Sequence, residues 1–271
     1  MTTLQGRHPL IALRQLPRWF AGRLPEADDS SSERRDTDGA GNTDSTPASR
    51  SWTIVRDYRT EVLGTSGLVS YWRLGETSGT TAADSKGANR GRYRNGVALG
   101  RPSALLHDAN PSAGFDSAND YVDVADHASL NSGDSFTLEA WVKRSSASHA
   151  TNTVLSKGSS CWRLSFVNNV LTLTKSGSGT VATPSVTTTD TSGFHHVVAA
   201  KSGGTVRLYI DGVDRTGAVT NRTIASSSPG PNIGRHTAGT EYFAGLIDEA
   251  AIYNAALGEA QVQQHFKASG R

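Results

Sequence analysis

Apolar and polar residues alternate along most of the chain after Leu68, in short runs separated by glycine, asparagine, serine and threonine. The clearest run is 135–144, SFTLEAWVKR. Its apolar face consists of Phe136, Leu138, Ala140 and Val142. Because successive side chains of a strand point to opposite faces, a period of two predicts β-structure. Strands at intervals of about 8–12 residues predict an all-β fold, in which two antiparallel sheets pack as a jelly-roll sandwich.

Two dipeptides predict tight hairpin turns within this β-region. Asn168-Asn169 separates two apolar runs in 161–175, and Asp211-Gly212 ends the run LYI. Asparagine, aspartate and glycine tolerate the positive φ that two-residue hairpin turns require. Near the end of the chain, 258–266 has helical spacing with Glu259 in the first turn, so one short C-terminal helix is also expected.

The first 66 residues lack the period-two alternation of the β-region. Residues 7–24 carry arginines, no acidic residues and apolar residues spaced as in a short amphipathic helix. The polar stretch that follows has the composition of a disordered linker, so 1–50 is predicted to be an extended or disordered arm. Residues 7–24 are either a floppy tail or a docking peptide. The docking residues would be Leu13, Leu16, Trp19 and Phe20. Residues 51–66 have helical character and connect the arm to the β-domain, 67–271.

Composition restricts the classes of partner. The formal net charge is +2, and the arginines are scattered rather than clustered, which argues against nucleic acid as the main partner. No apolar run approaches the roughly 18 residues of a membrane span, so no membrane partner is expected. The longest apolar run near the N-terminus is the four-residue LIAL, too short for a cleaved secretory signal. Cys161 is the one cysteine, which excludes an intrachain disulfide.

The adjacent pair His195-His196 raises the question of a metal or catalytic site. On a strand the two imidazoles point to opposite faces, so they cannot both bind one metal without ligands from elsewhere. A glycosidase needs two carboxylates across one cleft. The alternation places Asp248 and Glu249 on opposite faces of a strand, where they cannot act together. Cys161, beside Trp162 on a strand, is expected to be packed rather than reactive. The sequence therefore predicts no enzymatic activity.

Five stretches, in this order, resemble a laminin-G-like domain of the concanavalin A-like jelly-roll superfamily. They are GLVSYWRLGETSGTTAADSKG, AGFDSANDYVDV, DSFTLEAWVKR, FHHVVAAKSGGTVRLYIDGV and GLIDEAAIYNAALGEAQVQQHF, and together they extend over 67–268. The resemblance implies two antiparallel sheets packed face to face, one of them curved. Members of the superfamily bind glycans or proteins, often with calcium. Related glycosidases carry a Glu-x-Asp-x-x-Glu pattern, which this sequence lacks.

The resemblance makes calcium the expected cofactor, at one of two places. Calcium binds several oxygen ligands, which aspartate and asparagine in loops can supply. The first place pairs Asp84, after the first strand, with Asp248 of the last strand. The second is a rim loop with Asp116, Asn119 and Asp120. At both places the alternative is an ordinary turn in which these side chains bind their own backbone.

Glycan contacts require aromatic rings and planar polar groups on an exposed face. The candidates are Asn119, Trp162, Arg207 and Tyr209. Aromatic residues on strands are more often packed in the core, so packing is the alternative for Trp162 and Tyr209.

Three kinds of protein fit these features. The first is a phage virion protein, from tail or head, whose arm binds other virion structural proteins within an oligomeric assembly and whose domain binds host-surface glycans. The missing secretory signal and the resemblance of 58–85 to segments of actinobacterial and actinophage surface proteins favour it. The alternatives are a bacterial extracellular lectin, secreted or on the cell surface, and a module of a glycan-degrading complex. A purely structural decoration protein without a ligand is a further alternative to the glycan-binding role.

Overall fold

The computed structural model describes residues 32–34, 48–50, 56–158 and 160–271. Contacts between residues divide the chain near residue 55 into two units. In the first, Ser32–Arg34 pairs antiparallel with Ala48–Arg50. The sequence predicts no regular secondary structure there, and these six residues depart from that expectation. The proposed docking residues Leu13, Leu16, Trp19 and Phe20 lie outside the described residues.

The strands and helices of the described residues alternate with short turns. In chain order the strands are β1 (Ser32–Arg34), β2 (Ala48–Arg50), β3 (Leu68–Trp72), β4 (Thr81–Ala82), β5 (Gly91–Arg94), β6 (Ala98–Arg101), β7 (Ser112–Asp116), β8 (Tyr121–Val124), β9 (Ser135–Arg144), β10 (Thr151–Lys157), β11 (Trp162–Val167), β12 (Val170–Lys175), β13 (Gly179–Pro184), β14 (His195–Ser202), β15 (Thr205–Ile210), β16 (Val213–Asp214), β17 (Thr216–Val219), β18 (Pro231–Ile233) and β19 (Ala244–Tyr253). The α-helices are α1 (Tyr58–Gly64) and α2 (Glu259–Ala268), and Ala128–Leu130 forms a single 3₁₀ turn.

The second unit consists of two antiparallel sheets. We call the first the open sheet; its strand order is β17-β13-β12-β11-β10-β18-β8-β5-β4. We call the second the covered sheet; its order is β16-β15-β14-β9-β19-β7-β6, with β3 paired to the far end of β19. The predicted all-β jelly-roll sandwich with a short C-terminal helix is therefore confirmed.

The core lies between the two sheets and contains the apolar face that the sequence predicts for β9. Phe136, Leu138, Ala140 and Val142 all belong to it and are at most 1% exposed. The opposite face of β9 is buried too, because α1 and α2 pack over the covered sheet. Tyr58 and Val62 of α1 and Val262 of α2 form a second apolar cluster with Trp141 and Tyr253. The helix α1, which lies within the segment predicted to connect the arm to the domain, thus packs on the domain.

The outer face of the open sheet has no helix on it, since both described α-helices pack against the covered sheet. The predicted hairpin turns are present on this framework. Asn168 and Asn169 have φ of 47° and 67°, and Asp211 and Gly212 have φ of 52° and 73°. No described helix is both long enough and apolar enough to cross a bilayer.

Candidate functional site

The two histidines of β14 lie on opposite faces, as the alternation predicts. His195 Nδ1 lies 2.8 Å from Asp211 Oδ2, at the half-buried end of the hairpin. His196 points under α2, where its Nε2 lies 2.7 Å from Glu139 Oε1. His195 Nε2 also lies 3.4 Å from Asp190 Oδ2, so His195 sits between two carboxylates. The two histidines bind carboxylates on opposite faces of the strand and do not meet at one site.

Glu139 is the centre of a buried polar cluster that joins both helices to the covered sheet. The hydroxyl groups of Tyr58 and Tyr253 each donate to its carboxylate at 2.8 Å. His265 Nδ1 lies 3.0 Å from Oε1 and 3.1 Å from Oε2. Burial alone would raise the pKa of Glu139, but His265 and His196 outweigh it, and the pKa lies well below its ordinary value. We call these residues, with His196, the Glu139 cluster; because its members are fully buried, it holds the fold and cannot reach a ligand.

Asp248 and Glu249 form a buried acidic pair. The prediction that the two carboxylates lie on opposite faces of a strand is wrong. The register of β19 against β9 breaks between Asp248 and Ala251, and Glu249 has φ of 50°. This bulge turns both carboxylates toward the loop at 104–110. Asp248 Oδ2 accepts from the N–H of Ala104 (2.9 Å), and Glu249 Oε1 accepts from Arg73 Nε (3.0 Å). Strict alternation cannot anticipate the bulge, because it inserts a residue into one strand.

Replacing Glu249 by glutamine is expected to flatten the pH dependence of stability between pH 4.5 and 7. Burial, although opposed by Arg73, raises the pKa of Glu249 from 4.5 to about 7. The folded protein therefore binds one more proton than the unfolded chain in this window, so its free energy of unfolding falls as the pH rises. The fall due to Glu249 is about 3 kcal/mol. Urea unfolding of both proteins at half-unit pH steps measures it, and parallel curves would contradict it.

The predicted calcium site at Asp84 and Asp248 does not fit a cation. The carboxylate of Asp84 accepts hydrogen bonds from the N–H groups of Tyr71, Lys86 and Asn89, each at 2.9 Å. These donors already compensate its charge and direct positive potential toward it. Burial raises the pKa of Asp248 well above its ordinary value, which favours the neutral acid. Asp84 therefore has the alternative role, a turn that binds its own backbone.

The rim loop, residues 116–120, follows β7 and closes on itself. Asp116 Oδ1 accepts hydrogen bonds from the N–H groups of Ala118 (2.8 Å) and Asn119 (3.3 Å). The N–H of Asp116 donates to Asp120 Oδ2 at 3.2 Å. The structure thus brings Asp116 and Asp120 together and leaves the side chain of Asn119 exposed.

A groove of about 380 Å³ lies beside the rim loop; we call it the rim groove. It is lined by Gly96, Ala98, Arg101, Gly114, Phe115, Asp116, Asp120, Ser145, Gly245 and Leu246. Asp120 is 3% exposed, and its Oδ1 accepts no hydrogen bond from any described residue. Burial raises the pKa of Asp120, and the charge of Asp116 raises it further. Two carboxylates therefore share one groove, and one buried oxygen, Asp120 Oδ1, has no donor among the described residues.

Calcium fits this loop better than the Asp84–Asp248 site, because Asp120 Oδ1 lies beside a second carboxylate in an open groove. Asp248 Oδ1 also has no donor among the described residues, but Asp248 is 0% exposed and burial raises its pKa well above the ordinary value. No three His, Cys, Asp or Glu side chains are placed to hold one metal in the part of the chain that the structure describes. The remaining ligands of a hard cation would have to be backbone carbonyls, amides or water.

Two of the four residues predicted to bind glycan are buried. Trp162 is 1% exposed and packs against Phe136 in the core, and Tyr209 is 2% exposed beneath α2. Neither ring can stack on a sugar, so the packing alternative holds for both. Arg207 is exposed and paired with Asp214 at 3.3 Å, in a different sheet from Trp162. Of the four, Asn119 alone lies in the rim loop, although its side chain is not among those that line a described cleft.

The outer face of the open sheet carries a polar row that sequence analysis missed. In the register of the strands, each member lies directly opposite the next: Thr81, Arg92, Asp123, Asn232, Ser156, Arg163, Thr174 and Thr180. The loop 235–241 crosses the middle of the row, where Ser156 Oγ donates to the carbonyl of Arg235 at 2.8 Å. The signal in the sequence was the alternation of threonines in 170–183, but only strand pairing aligns them with arginine and asparagine.

Two clefts flank this crossing loop. The smaller, of about 230 Å³, includes Asp123, Asp126, Asn232 and Arg235. The larger, of about 410 Å³, lies over β11, β12 and β13, and we call it the threonine cleft. It is lined by Arg163, Val167, Asn168, Val170, Thr172, Thr174, Gly179, Thr180 and Thr183. The uncovered sheet therefore offers concave polar surfaces, whereas the acidic pair and the Glu139 cluster are buried.

Comparison with known proteins agrees with this architecture. The sialidase of Trypanosoma rangeli, solved with the inhibitor DANA, is 16% identical with a TM-score of 0.55, over 75% of this chain and 33% of the sialidase. Domain 4 of AbnA, an extracellular arabinanase from Geobacillus stearothermophilus solved with arabinotriose, is 19% identical with a TM-score of 0.55, over 73% of this chain and 97% of that domain. The chain thus spans about a third of the sialidase.

At these identities the solved structures show the fold alone. No curated protein matches the sequence significantly. A laminin-G-like family model, described as the concanavalin A-like lectin/glucanases superfamily, matches residues 116–263, which is more than half of the chain. The chain therefore belongs to the concanavalin A-like lectin/glucanases superfamily.

Proposed function

We propose that this protein is a non-catalytic carbohydrate-binding protein and that the rim groove is its calcium-assisted binding site. The observation that carries the proposal is Asp120 Oδ1, a buried carboxylate oxygen without a donor at the edge of an open groove. A buried acceptor without a partner is costly, so a ligand that supplies a cation or a hydroxyl donor would be stabilised there.

The rest of the groove suits a sugar. Arg101 and Ser145 provide donors on its walls, Phe115 and Leu246 provide apolar surface, and three glycines leave the backbone accessible. Sugar sites combine a few directed polar groups with an apolar floor in this way. Asp116 and Asp120 would hold calcium, which when bound supplies positive charge that sugar hydroxyl oxygens can coordinate.

A non-catalytic role is supported by the burial of the acidic pair. Asp248 and Glu249 are both 0% exposed; Asp248 accepts from the N–H of Ala104 and Glu249 accepts from Arg73. They therefore do not flank an open cleft as the carboxylates of a glycosidase must. The arabinanase domain that this chain resembles was solved with arabinotriose, which supports carbohydrate as the ligand class.

The virion is the location that we propose for this protein, because residues 58–85 resemble segments of actinobacterial and actinophage surface proteins. The arm of residues 1–50 would bind other virion structural proteins in an oligomeric assembly, and the domain would bind host-surface glycans. Purified particles of a candidate actinophage, probed with antibody against the domain, test this placement. A signal confined to the host cell envelope would favour the extracellular lectin instead.

Replacing Asp120 by asparagine is expected to abolish calcium-dependent glycan binding and to weaken calcium binding at least tenfold. The variant removes half of the negative charge that faces the groove while it keeps the shape of the side chain. Calorimetric titration of the full chain with calcium, followed by a glycan panel with calcium or with chelator, measures both effects.

The matched control is Asp190→Asn. Asp190 also closes an exposed turn, where its Oδ1 accepts from the N–H of Ser192 at 2.7 Å, but it lies far along the chain from the rim loop. The Asp190→Asn variant should leave calcium binding and glycan binding unchanged. Equal calcium affinity in wild type and Asp120→Asn, or glycan binding that survives chelator, would overturn the calcium-assisted site.

A further inference from the structure

We infer that the threonine cleft is a second binding site and that its ligand is a sugar bearing a carboxylate group. The inference shares with the proposed function only the premise that the ligand is a carbohydrate. The threonine cleft differs from the rim groove in its sheet and in its lining residues, and the inference involves no metal ion.

The first support is the arrangement of hydroxyl groups. Thr174 lies opposite Arg163 on β11 and opposite Thr180 on β13, so these three side chains share the outer face of the open sheet. Thr172 lies one step along, opposite Ser165. Threonine has restricted χ1 freedom, so such a row presents hydroxyl groups at low entropic cost. Rows of fixed hydroxyls match the donor and acceptor pattern of a sugar ring.

The second support is the charge of the cleft. Arg163 is the one charged residue among the nine that line it, and no carboxylate is among them. Arg222 adds a second guanidinium at the opposite edge, beside Gly179, where its Nε donates to the carbonyl of Thr180 at 3.0 Å. Guanidinium groups recognise carboxylates through charge-assisted hydrogen bonds. Arg163 is paired with Glu241, so Arg222, which has no carboxylate partner among the described residues, supplies the positive charge that complements an anion at this cleft.

The third support is a pair of buried polar atoms without partners. Arg163 gives its Nη1 to Glu241, but its buried Nε has no acceptor among the described residues. Ser165 is 0% exposed on the same face, and its Oγ is likewise without a described partner. Native proteins rarely leave such groups unsatisfied. Because Arg163 lines the cleft whereas Ser165 lies beneath it, the Arg163 guanidinium is the group that a ligand or its bound water would satisfy.

The lining also argues against other ligand classes. No aromatic ring is among the nine lining residues, so a neutral sugar that binds mainly by stacking has no platform. Two arginines are too few for a nucleic-acid backbone, which needs an extended basic surface. A single carboxylate on a hydroxyl-rich ring fits both the charge and the hydroxyl row.

The experiment uses the full chain and charged polymers in matched pairs. Polygalacturonate, alginate and hyaluronate are each compared with their methyl esters, which keep the sugar and remove the charge. We expect at least one acid polymer to bind, its ester to bind at least tenfold more weakly, and the affinity to fall with added salt. The expected binding is unchanged by chelator and by Asp120→Asn, which separates this cleft from the rim groove.

Two variants locate the site. Arg222→Gln changes a half-buried surface residue outside the core and should preserve the fold. Thr174→Val removes a hydroxyl without changing volume. Each should weaken binding of the acid polymer about tenfold, whereas Arg92→Gln, an exposed arginine on the same sheet outside the cleft, should not. Equal binding of acid and ester, binding unchanged by Arg222→Gln, or binding of none of the three acids above its ester would each overturn the inference.

Discussion

Replacing Glu139 by glutamine is expected to lower the free energy of unfolding by about 3–5 kcal/mol. The carboxylate accepts from Tyr58 and Tyr253 and pairs with His196 and His265, all fully buried. Glutamine can accept fewer of these bonds, carries no charge to balance the imidazoles, and puts an amide donor among groups that are themselves donors. The loss should appear as a lower midpoint in urea without a change in slope, because the folded state keeps its surface.

The pH dependence of this effect distinguishes an ion pair from simple packing. Burial alone would lower the pKa of His265, but Glu139 outweighs it and the pKa is raised. The contribution of Glu139 to the free energy of unfolding is present above pH 4.5 and is lost only as the pH falls through the lowered pKa of its folded state. The contribution of His265 is present below pH 6.5 and is lost as the pH rises through the raised pKa of its folded state. The difference between wild type and variant should therefore be largest between pH 4.5 and 6.5.

The matched control is Glu259→Gln on the exposed side of α2, where the carboxylate accepts one side-chain hydrogen bond from the described residues, from Gln263 Nε2 at 2.9 Å. It should change stability by less than about 0.5 kcal/mol. The double variant Glu139→Gln, His265→Gln should cost less than the sum of its parts, because the two residues share one interaction. A Glu139→Gln protein as stable as wild type at pH 5.5 would refute the role of the cluster.

Replacing Gly245 by alanine is expected to destabilise the protein by about 4 kcal/mol and to disorder the rim groove. Gly245 has φ of 136°, a conformation that other residues rarely adopt, and lies where β19 pairs with both β7 and β9. A Cβ there would be 2.1 Å from the carbonyl oxygen of Lys143 and 2.9 Å from Cα of Arg144. Both obstacles are backbone, so a strand would have to move.

Gly193→Ala is the control for this substitution. Gly193 precedes β14 in a bend, and a Cβ at that position would meet no atom within 4 Å. Thermal unfolding should therefore separate the two variants clearly, with Gly193→Ala near wild type. Because Gly245 lines the rim groove, calcium titration of the Gly245 variant should also show weakened binding. Two alanine variants of equal stability would contradict the strained geometry.

The sequence predicts the class of fold because most of the strands obey the simple period of two. Phe136 to Val142 is buried as the alternation requires, and the asparagine and Asp-Gly turns lie where positive φ is needed. Alternation cannot show that the polar face of β9 is buried as well. The burial of this polar face depends on Tyr58 and His265, which belong to helices and lie about 80 and 126 residues from Glu139 in the chain.

The candidate sites are less predictable, because they depend on pairing between distant strands. The rim loop is a local turn, so Asp116 and Asp120 could be proposed from their spacing alone. The polar row required the register of eight strands, and no local pattern links Thr174 to Asn232. Trp162 and Tyr209 failed as glycan candidates because an aromatic residue on a strand has the same sequence signature whether it is packed or presented.

The packing of α1 against α2 determines how the domain would present itself when attached to something larger. Glu61 accepts from Gln264 at 2.8 Å, and Thr65 lies 2.8 Å from His265, so the chain enters and leaves the domain on the side of the covered sheet. The open sheet faces the opposite way. A copy attached to a larger body on the side of the covered sheet would therefore present its threonine cleft away from the point of attachment, and several such copies on one body would engage one polymer at several clefts, which strengthens weak binding.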